Sequence, residues 1–328
     1  MDREMLFPAS EAEWLEWRKA DVTSTEVAAL FGFSPYTTEF ELYHRKVGNL
    51  EDSFTENDRM KWGRRLEAAI AEGIAEDLGL LVEPMKHYGR IADLRMGSSF
   101  DYQITGLRPG WEGDDETYRN LFKQHGPGIL EVKNVDSLVF KRGWMEGDTV
   151  EAPPHIEFQV QHQMEVADLN WCIIAPLVGG NTPRPFWRVR DEAIGKVLVE
   201  RVKAFWQQVA DGVEPEPDYE RDAATIGNMF AVSSDKEIDL SDNNRLAELC
   251  AAYDAASADE KDAKARKDAA KAEILTIIED AGKVRAAGYT ISAKTTAESK
   301  GKLVTPDMVG TYMGARKAYR GVRLNAAH

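Results

Sequence analysis

Between Ile129 and Val178 the chain changes period twice. Ile129 to Asn134 reads as a strand, Pro154 to about Ala167 as a helix opened by proline at its first position, and Trp171 to Val178 as a second, wholly apolar strand. Strand-like runs interleaved with helices restrict the chain to an α/β core, in which helices cover a mixed sheet. The flanking segments agree. Glu11 to Arg18, a short stretch capped by Ser24 or Thr25 and closed at Gly32, a segment from about Thr38, and Glu56 to Leu78 closed by Gly79 read as helices. Two short strands fall around Ile91 to Ile104. Phe186 to Arg190 reads as a strand and Asp191 to Val209 as a helix.

The pattern changes after Gly212-Val-Glu-Pro-Glu-Pro-Asp218, which reads as an exposed linker and divides the chain into domains 1–217 and 218–328. Beyond Ser241, Ala, Lys, Asp and Glu dominate. They predict a helical region from Leu246 to about Ala281, stopped at Gly282, as either one long helix or a hairpin of two. Tyr289-Thr-Ile-Ser-Ala-Lys294, preceded by Gly288, predicts a β-hairpin within Lys283 to Thr296.

With 43% hydrophobic and 9% aromatic residues, the chain can bury a core, which excludes disorder throughout. Cys172 and Cys250 match no metal-binding spacing and read as buried thiols of a reducing compartment. No signal peptide is visible, and the longest apolar run is too short to span a bilayer. A cytoplasmic protein with no membrane partner is the expectation. The net charge of −15 opposes nucleic-acid binding only as a surface average, because phosphate contacts are local.

Within Gly128-Ile-Leu-Glu-Val-Lys-Asn134, residues two apart share a face. Glu131 and Lys133 therefore point one way, and Leu130 and Val132 the other. A carboxylate beside an ammonium can bind a divalent cation, hold an attacking water and offset charge on a phosphate. E-x-K alone is most often a surface ion pair, so its company matters. Asp101 stands before a strand in Met96-Gly-Ser-Ser-Phe-Asp101. Helical spacing puts Glu67 on one stripe with Gly63, Ile70 and Ile74, where a carboxylate needs a partner or a metal. Gly63 there would admit a ligand or backbone. Gln159 and Gln163 fall within the apolar stripe of Ile156, Val160 and Ala167, and need polar partners. Three acids, a lysine and an amide on one core are the set that phosphodiester hydrolysis with Mg²⁺ or Mn²⁺ requires.

Taken in order, Val22-Thr-Ser-Thr-Glu-Val-Ala-Ala-Leu-Phe-Gly-Phe-Ser-Pro-Tyr36, Met60-x-x-Gly63-x-x-x-Glu67, Ser99-x-Asp101, Glu131-Val-Lys133 and Phe158-Gln-Val-Gln-His-Gln163 resemble the YqaJ-type viral recombinase family. Its members are relatives of phage lambda exonuclease within the PD-(D/E)XK nuclease superfamily. The resemblance covers roughly residues 15 to 215. It implies a restriction-endonuclease-like core. It also implies Asp101 and Glu131 as metal ligands, Glu67 helping directly or through water, Lys133 as the catalytic lysine and Gln159 as the supporting amide. Arg18, Ser24 and Ser99 would form a 5′-phosphate pocket. The implied activity is Mg²⁺- or Mn²⁺-dependent 5′→3′ digestion of linear double-stranded DNA, leaving single-stranded tails for phage-type recombination. The implied partners are DNA, further copies of the chain in a ring such as a trimer, and a phage single-strand annealing protein, all in a bacterial host's cytoplasm. Phe100 stands where the superfamily name has proline, and a polar insert, Trp111 to Gly126, separates Asp101 from Glu131.

Two other functions remain open at this point: a structure-specific or restriction-like endonuclease on the same core, and a non-catalytic DNA-binding or annealing module. Arg59, Lys61, Arg64 and Arg65 beside Glu67, and the basic Arg316-Lys-Ala-Tyr-Arg-Gly-Val-Arg323, suit nucleic-acid contact or an ordinary solvated face equally. No phosphate-binding glycine loop indicates ATP use, and the six histidines lack zinc spacing.

Overall fold

The computed structural model describes residues 2–50, 57–113 and 116–296. Glu56, expected to open a helix, and the basic segment Arg316 to Arg323 lie outside the described residues. The chain divides into two compact units, Met1–Met229 and Phe230–His328.

The first unit is built on a mixed sheet of β1 (Leu80–Pro84), β2 (Tyr102–Leu107), β3 (Gly128–Val135), β4 (Trp171–Val178), β5 (Thr182–Pro183) and β6 (Phe186–Val189). Its order is β5-β4-β3-β2-β1, with β6 also pairing β4. The central pair β3–β4 is parallel, and Glu131 stands opposite Ile174. The β2–β3 and β1–β2 pairs are antiparallel. Around the sheet lie α1 (Glu11–Ala20), α2 (Glu39–Lys46), α3 (Asp58–Asp77), α4 (Thr117–His125), α5 (Pro154–Ala167) and α6 (Glu192–Asp211). Ser10, Thr38, Asn57 and Asp191 cap α1, α2, α3 and α6 by accepting from backbone N–H groups.

Strand alternation sorts the core into two clusters. Ile129, Val135, Cys172, Ile174 and Val178 pack with Ile156, Val160 and Met164 of α5 and Leu198, Val202 and Phe205 of α6. Leu130, Val132, Trp171, Ile173 and Ala175 pack with Ile70, Ala71 and Ile74 of α3 and Tyr118 and Leu121 of α4. Strand β4 is apolar throughout because helices cover both of its faces.

A second, four-stranded sheet orders Arg3–Leu6, Tyr88–Ile91, Met96–Ser98 and Val22–Thr23. Two of these strands, at residues 3 and 22, carry too few residues to register as a period. Beneath them Asp21 is fully buried. It accepts from Arg90 Nε at 3.0 Å and from the Tyr88 hydroxyl at 3.2 Å.

The helix-cap expectation needs correction. Ser24 and Thr25 cap no helix: the segment Val27–Phe31 is a 3-10 turn whose N-cap residue, Glu26, makes no side-chain capping bond. The two hydroxyls are engaged elsewhere, Ser24 with Ser98 and Thr25 with Arg18. The polar insert contains α4, whose Tyr118 and Leu121 are buried, and Trp111 packs its indole against Gly79. The first unit also runs past Pro217 to Met229, because Asp222 is fully buried, accepting from Thr38 Oγ at 2.5 Å and from the Asp218 N–H at 2.8 Å.

His162 of α5 is fully buried with Nε2 3.1 Å from the Gly97 carbonyl. Burial holds its imidazole down to about 4, below the ordinary 6.5. Folding therefore favours the neutral ring. The stability this contributes is complete above pH 6.5 and is lost as pH falls from 6.5 toward 4, by up to about 3 kcal/mol. Melting temperatures followed from pH 7 to pH 4 are expected to fall more steeply for the wild type than for His162→Gln. Parallel curves would remove His162 as the cause.

In the second unit, the helical region is one continuous 35-residue helix, Asn244–Ile278, not a hairpin of two. It ends before Gly282, at Glu279, whose φ is positive (48°). Its charges surround it, and Ile278 is its one buried residue. Cys250 is accordingly only half-buried, whereas Cys172 is fully buried as expected. Lys283–Ala286 and Tyr289–Ser292 pair as the expected hairpin. Among the described residues no helix is long and apolar enough to cross a membrane.

Candidate active site

The site forms where β2 and β3 meet the inward face of α5. Glu131 is 2% exposed, so its charge must be met by donors. Three provide them. Oε1 accepts from Lys133 Nζ, two residues along the same strand face, and from Gln159 Nε2 at 2.5 Å. Oε2 accepts from Gln163 Nε2 at 2.8 Å. Gln159 and Gln163 lie one helical turn apart on α5, which is why both amides reach one carboxylate. The sequence spacing placed both on the inward face. Assigning the supporting role to Gln159 alone missed Gln163, which also donates to the Ser99 carbonyl at 3.2 Å.

Asp101 sits in the turn that opens β2. Its Oδ2 accepts from the Val132 N–H at 2.8 Å, which ties the turn to β3 between Glu131 and Lys133. Burial, then the charges of Glu131 and Glu67, push its carboxyl up to about 8. Glu67 moves the same way, first through burial and then through Glu131. Burial works against the Lys133 ammonium, but Glu131 and Asp101 outweigh it and hold its value above the ordinary lysine range. The pocket thus gathers three carboxyl groups against one ammonium.

Glu67 is less buried than helical spacing predicts. Ile70 and Ile74 are buried against the sheet, but Glu67 and Gly63, a turn or two earlier, are half-exposed. A Cβ on Gly63 would meet nothing within 4 Å outside its own helix, so no other described backbone approaches that glycine closely. Among the described residues, no three His, Cys, Asp or Glu side chains converge into a ready-made metal cage.

The residues expected around a 5′-phosphate also come together. The Arg18 guanidinium lies 4.8 Å over the Trp14 ring and donates to Thr25 Oγ at 3.2 Å. Trp14 Nε1 donates to Ser99 Oγ at 2.9 Å. Ser98 Oγ donates to Ser24 Oγ at 2.9 Å. Trp14, which the sequence reading did not single out, links Arg18 to Ser99. A cleft of about 550 Å³ is lined by Trp14, Glu67, His87, Ser99 and Asp101, so Glu67, Asp101 and Ser99 open on one space.

Residues 13–170 match the family described as the YqaJ-like viral recombinase domain. The protein YqaJ of Bacillus subtilis (strain 168) is 24% identical over 244 residues, covering 72% of this chain and 69% of that protein. Among solved structures, an alkaline exonuclease (LHK-Exo) from Laribacter hongkongensis is 19% identical with a TM-score of 0.45, covering 66% of this chain and 99% of that one. A phage related exonuclease from Haemophilus somnus 129PT is 11% identical with a TM-score of 0.35, covering 58% of this chain and 96% of that one. The span matched by the family takes in the elements that build the site, from α1 through α5, and over it this chain is similar to the YqaJ-like viral recombinase domain.

Proposed function

We propose that this protein is a metal-dependent deoxyribonuclease that digests linear double-stranded DNA from its ends. The observation that carries the reading is Glu131, a buried carboxylate held by Lys133, Gln159 and Gln163 beside the anchored carboxyl of Asp101. The donor set fits a hard divalent cation such as Mg²⁺ or Mn²⁺. It consists of carboxylate oxygens, and the burial and, after it, the mutual repulsion that push Asp101 and Glu67 upward both disfavour charge that a dication would offset. Asp101 and Glu131 would hold the ion, with Glu67 acting directly or through water. Such an ion supplies Lewis-acid polarisation of the phosphate and an activated water.

The chain's own groups do the rest. Gln159 and Gln163 fix the Glu131 carboxylate in one orientation. Lys133 stays protonated and offsets negative charge that grows on the phosphate in the transition state. Arg18, Ser24 and Ser99 hold the 5′-phosphate, which gives 5′→3′ polarity and leaves a single-stranded tail. The ring-shaped oligomer, the annealing-protein partner and the bacterial cytoplasm rest on the family resemblance.

The test is digestion of 5′-phosphorylated linear duplex against covalently closed circular DNA with Mg²⁺. Linear DNA is expected to be lost and circular DNA spared. Chelation with EDTA is expected to stop the reaction and added Mg²⁺ to restore it. Equal loss of circular DNA would favour an endonuclease. No loss of either with Mg²⁺ or Mn²⁺ would favour a non-catalytic module.

A further inference from the structure

The loop between the 3-10 turn and α2 carries two large rings outward. Phe33 is 52% exposed and Tyr36 79%. One exposed ring needs no explanation, but this loop is fastened from beneath. Ser34 is buried, and its Oγ accepts from the N–H groups of Tyr36 at 3.2 Å and Thr37 at 3.3 Å. Arg221 Nη2 donates to the Ser34 carbonyl at 2.5 Å, and Thr38 donates to buried Asp222. Phe158 of α5 stacks on Phe31 at 4.5 Å and on Phe33 at 5.6 Å, while Tyr36 meets His155 edge-on at 5.7 Å. Phe31 and Phe158 pack against the core. Phe33 and Tyr36 do not, and their outer surfaces have no packing role.

The position of these rings is informative. His155 lies one turn before Gln159, a donor to Glu131, and Phe158 is its neighbour in sequence. Tyr36 and His155 are both close enough to Lys133 to interact with its charge. We propose that Phe33, Tyr36 and His155 form a shelf on which a nucleobase of the bound strand stacks, next to the phosphate being cleaved. Every base has a π-face, so such a shelf grips any sequence, and rings already fixed by Ser34, Arg221 and Asp222 lose little freedom on binding. The inference rests on the nuclease reading and adds the base contact that positions the strand.

The experiment compares wild type, Tyr36→Ala and Tyr36→Phe on 5′-phosphorylated duplex, and on the same duplex with abasic terminal nucleotides. Tyr36→Ala is expected to raise KM for the normal duplex on the order of tenfold, with kcat within about twofold. Tyr36→Phe, which keeps the ring, is expected to match the wild type. On the abasic duplex all three should be alike. An unchanged KM for Tyr36→Ala, or an equal loss on the abasic duplex, overturns the shelf while leaving the nuclease reading intact. If even the wild type digests no DNA, the nuclease reading fails instead. The shelf is then judged by fluorescence of a 2-aminopurine-tailed duplex, expected to be quenched on wild type and not on Tyr36→Ala; equal quenching rejects it. Unaltered circular dichroism of Tyr36→Ala is expected, since the ring is mostly exposed.

Discussion

Replacing Lys133 with alanine is expected to slow digestion of linear duplex on the order of 10²-fold or more, equivalent to about 3 kcal/mol of lost transition-state stabilisation. Two effects combine. The ammonium that offsets charge on the phosphate is gone. Glu131, still buried, keeps its two amide donors but loses its only cationic partner on β3. Removing one partner of a buried pair costs stability as well as rate. Lys133→Met, which restores the aliphatic bulk without the charge, separates the two. It should recover melting temperature relative to alanine and recover no rate. Arginine is not a conservative substitute, because its planar fork cannot occupy the place of a compact ammonium. The measurement is single-turnover digestion of a 5′-phosphorylated duplex by protein shown to be folded. An undiminished rate would take Lys133 out of the chemistry.

Gly97→Ala is expected to destabilise the first unit by about 1–3 kcal/mol, the usual range for an extra methyl forced into a packed interior. The added Cβ would stand 1.9 Å from the Tyr88 hydroxyl and 2.8 Å from Asp21 Oδ2. Neither neighbour yields easily. Tyr88 is fully buried and donates to Asp21, and Asp21 is fully buried and paired with Arg90. Gly97 also leads directly into Ser98 and Ser99 and presents its carbonyl to His162. A fall in melting temperature of several degrees is expected, with KM for 5′-phosphorylated ends rising. The ring Cζ of Tyr88 would also stand 2.4 Å away, so combining Gly97→Ala with Tyr88→Leu, which removes both the hydroxyl and that ring carbon, should cost less than the sum of the two single losses. If the two losses add in full, the contact with Tyr88 is not the cause.

The layered core was readable because its elements are long enough to show a period. β3, α5 and β4 carry consecutive alternating, helical and wholly apolar patterns, and the structure has Gly128–Val135, Pro154–Ala167 and Trp171–Val178 in those roles. What escaped the sequence lies in contacts without local pattern. Strands Arg3–Leu6 and Val22–Thr23 are stabilised by partners far along the chain. Ser24 and Thr25 have the chemistry of helix caps but answer to Ser98 and Arg18 instead. The acids and Lys133 of the site were legible as charges in apolar surroundings. The depth of Glu67 was not, because helical spacing gives a residue's angle and says nothing of where the helix overhangs the sheet. Gln163 was visible as an inward amide, but its sharing of Glu131 with Gln159 depends on the packing of α5 against β3, which has no local pattern.

Asp222 has a practical consequence for anyone isolating the first unit. The proline-rich stretch ending near Pro217 looks like the natural place to truncate, yet the five residues that follow it supply both fastenings of the loop bearing Phe33 and Tyr36, through Arg221 to Ser34 and Asp222 to Thr38. An expressible fragment should therefore extend through Met229, where the first compact unit ends, so that Arg221 and Asp222 travel with the loop they secure.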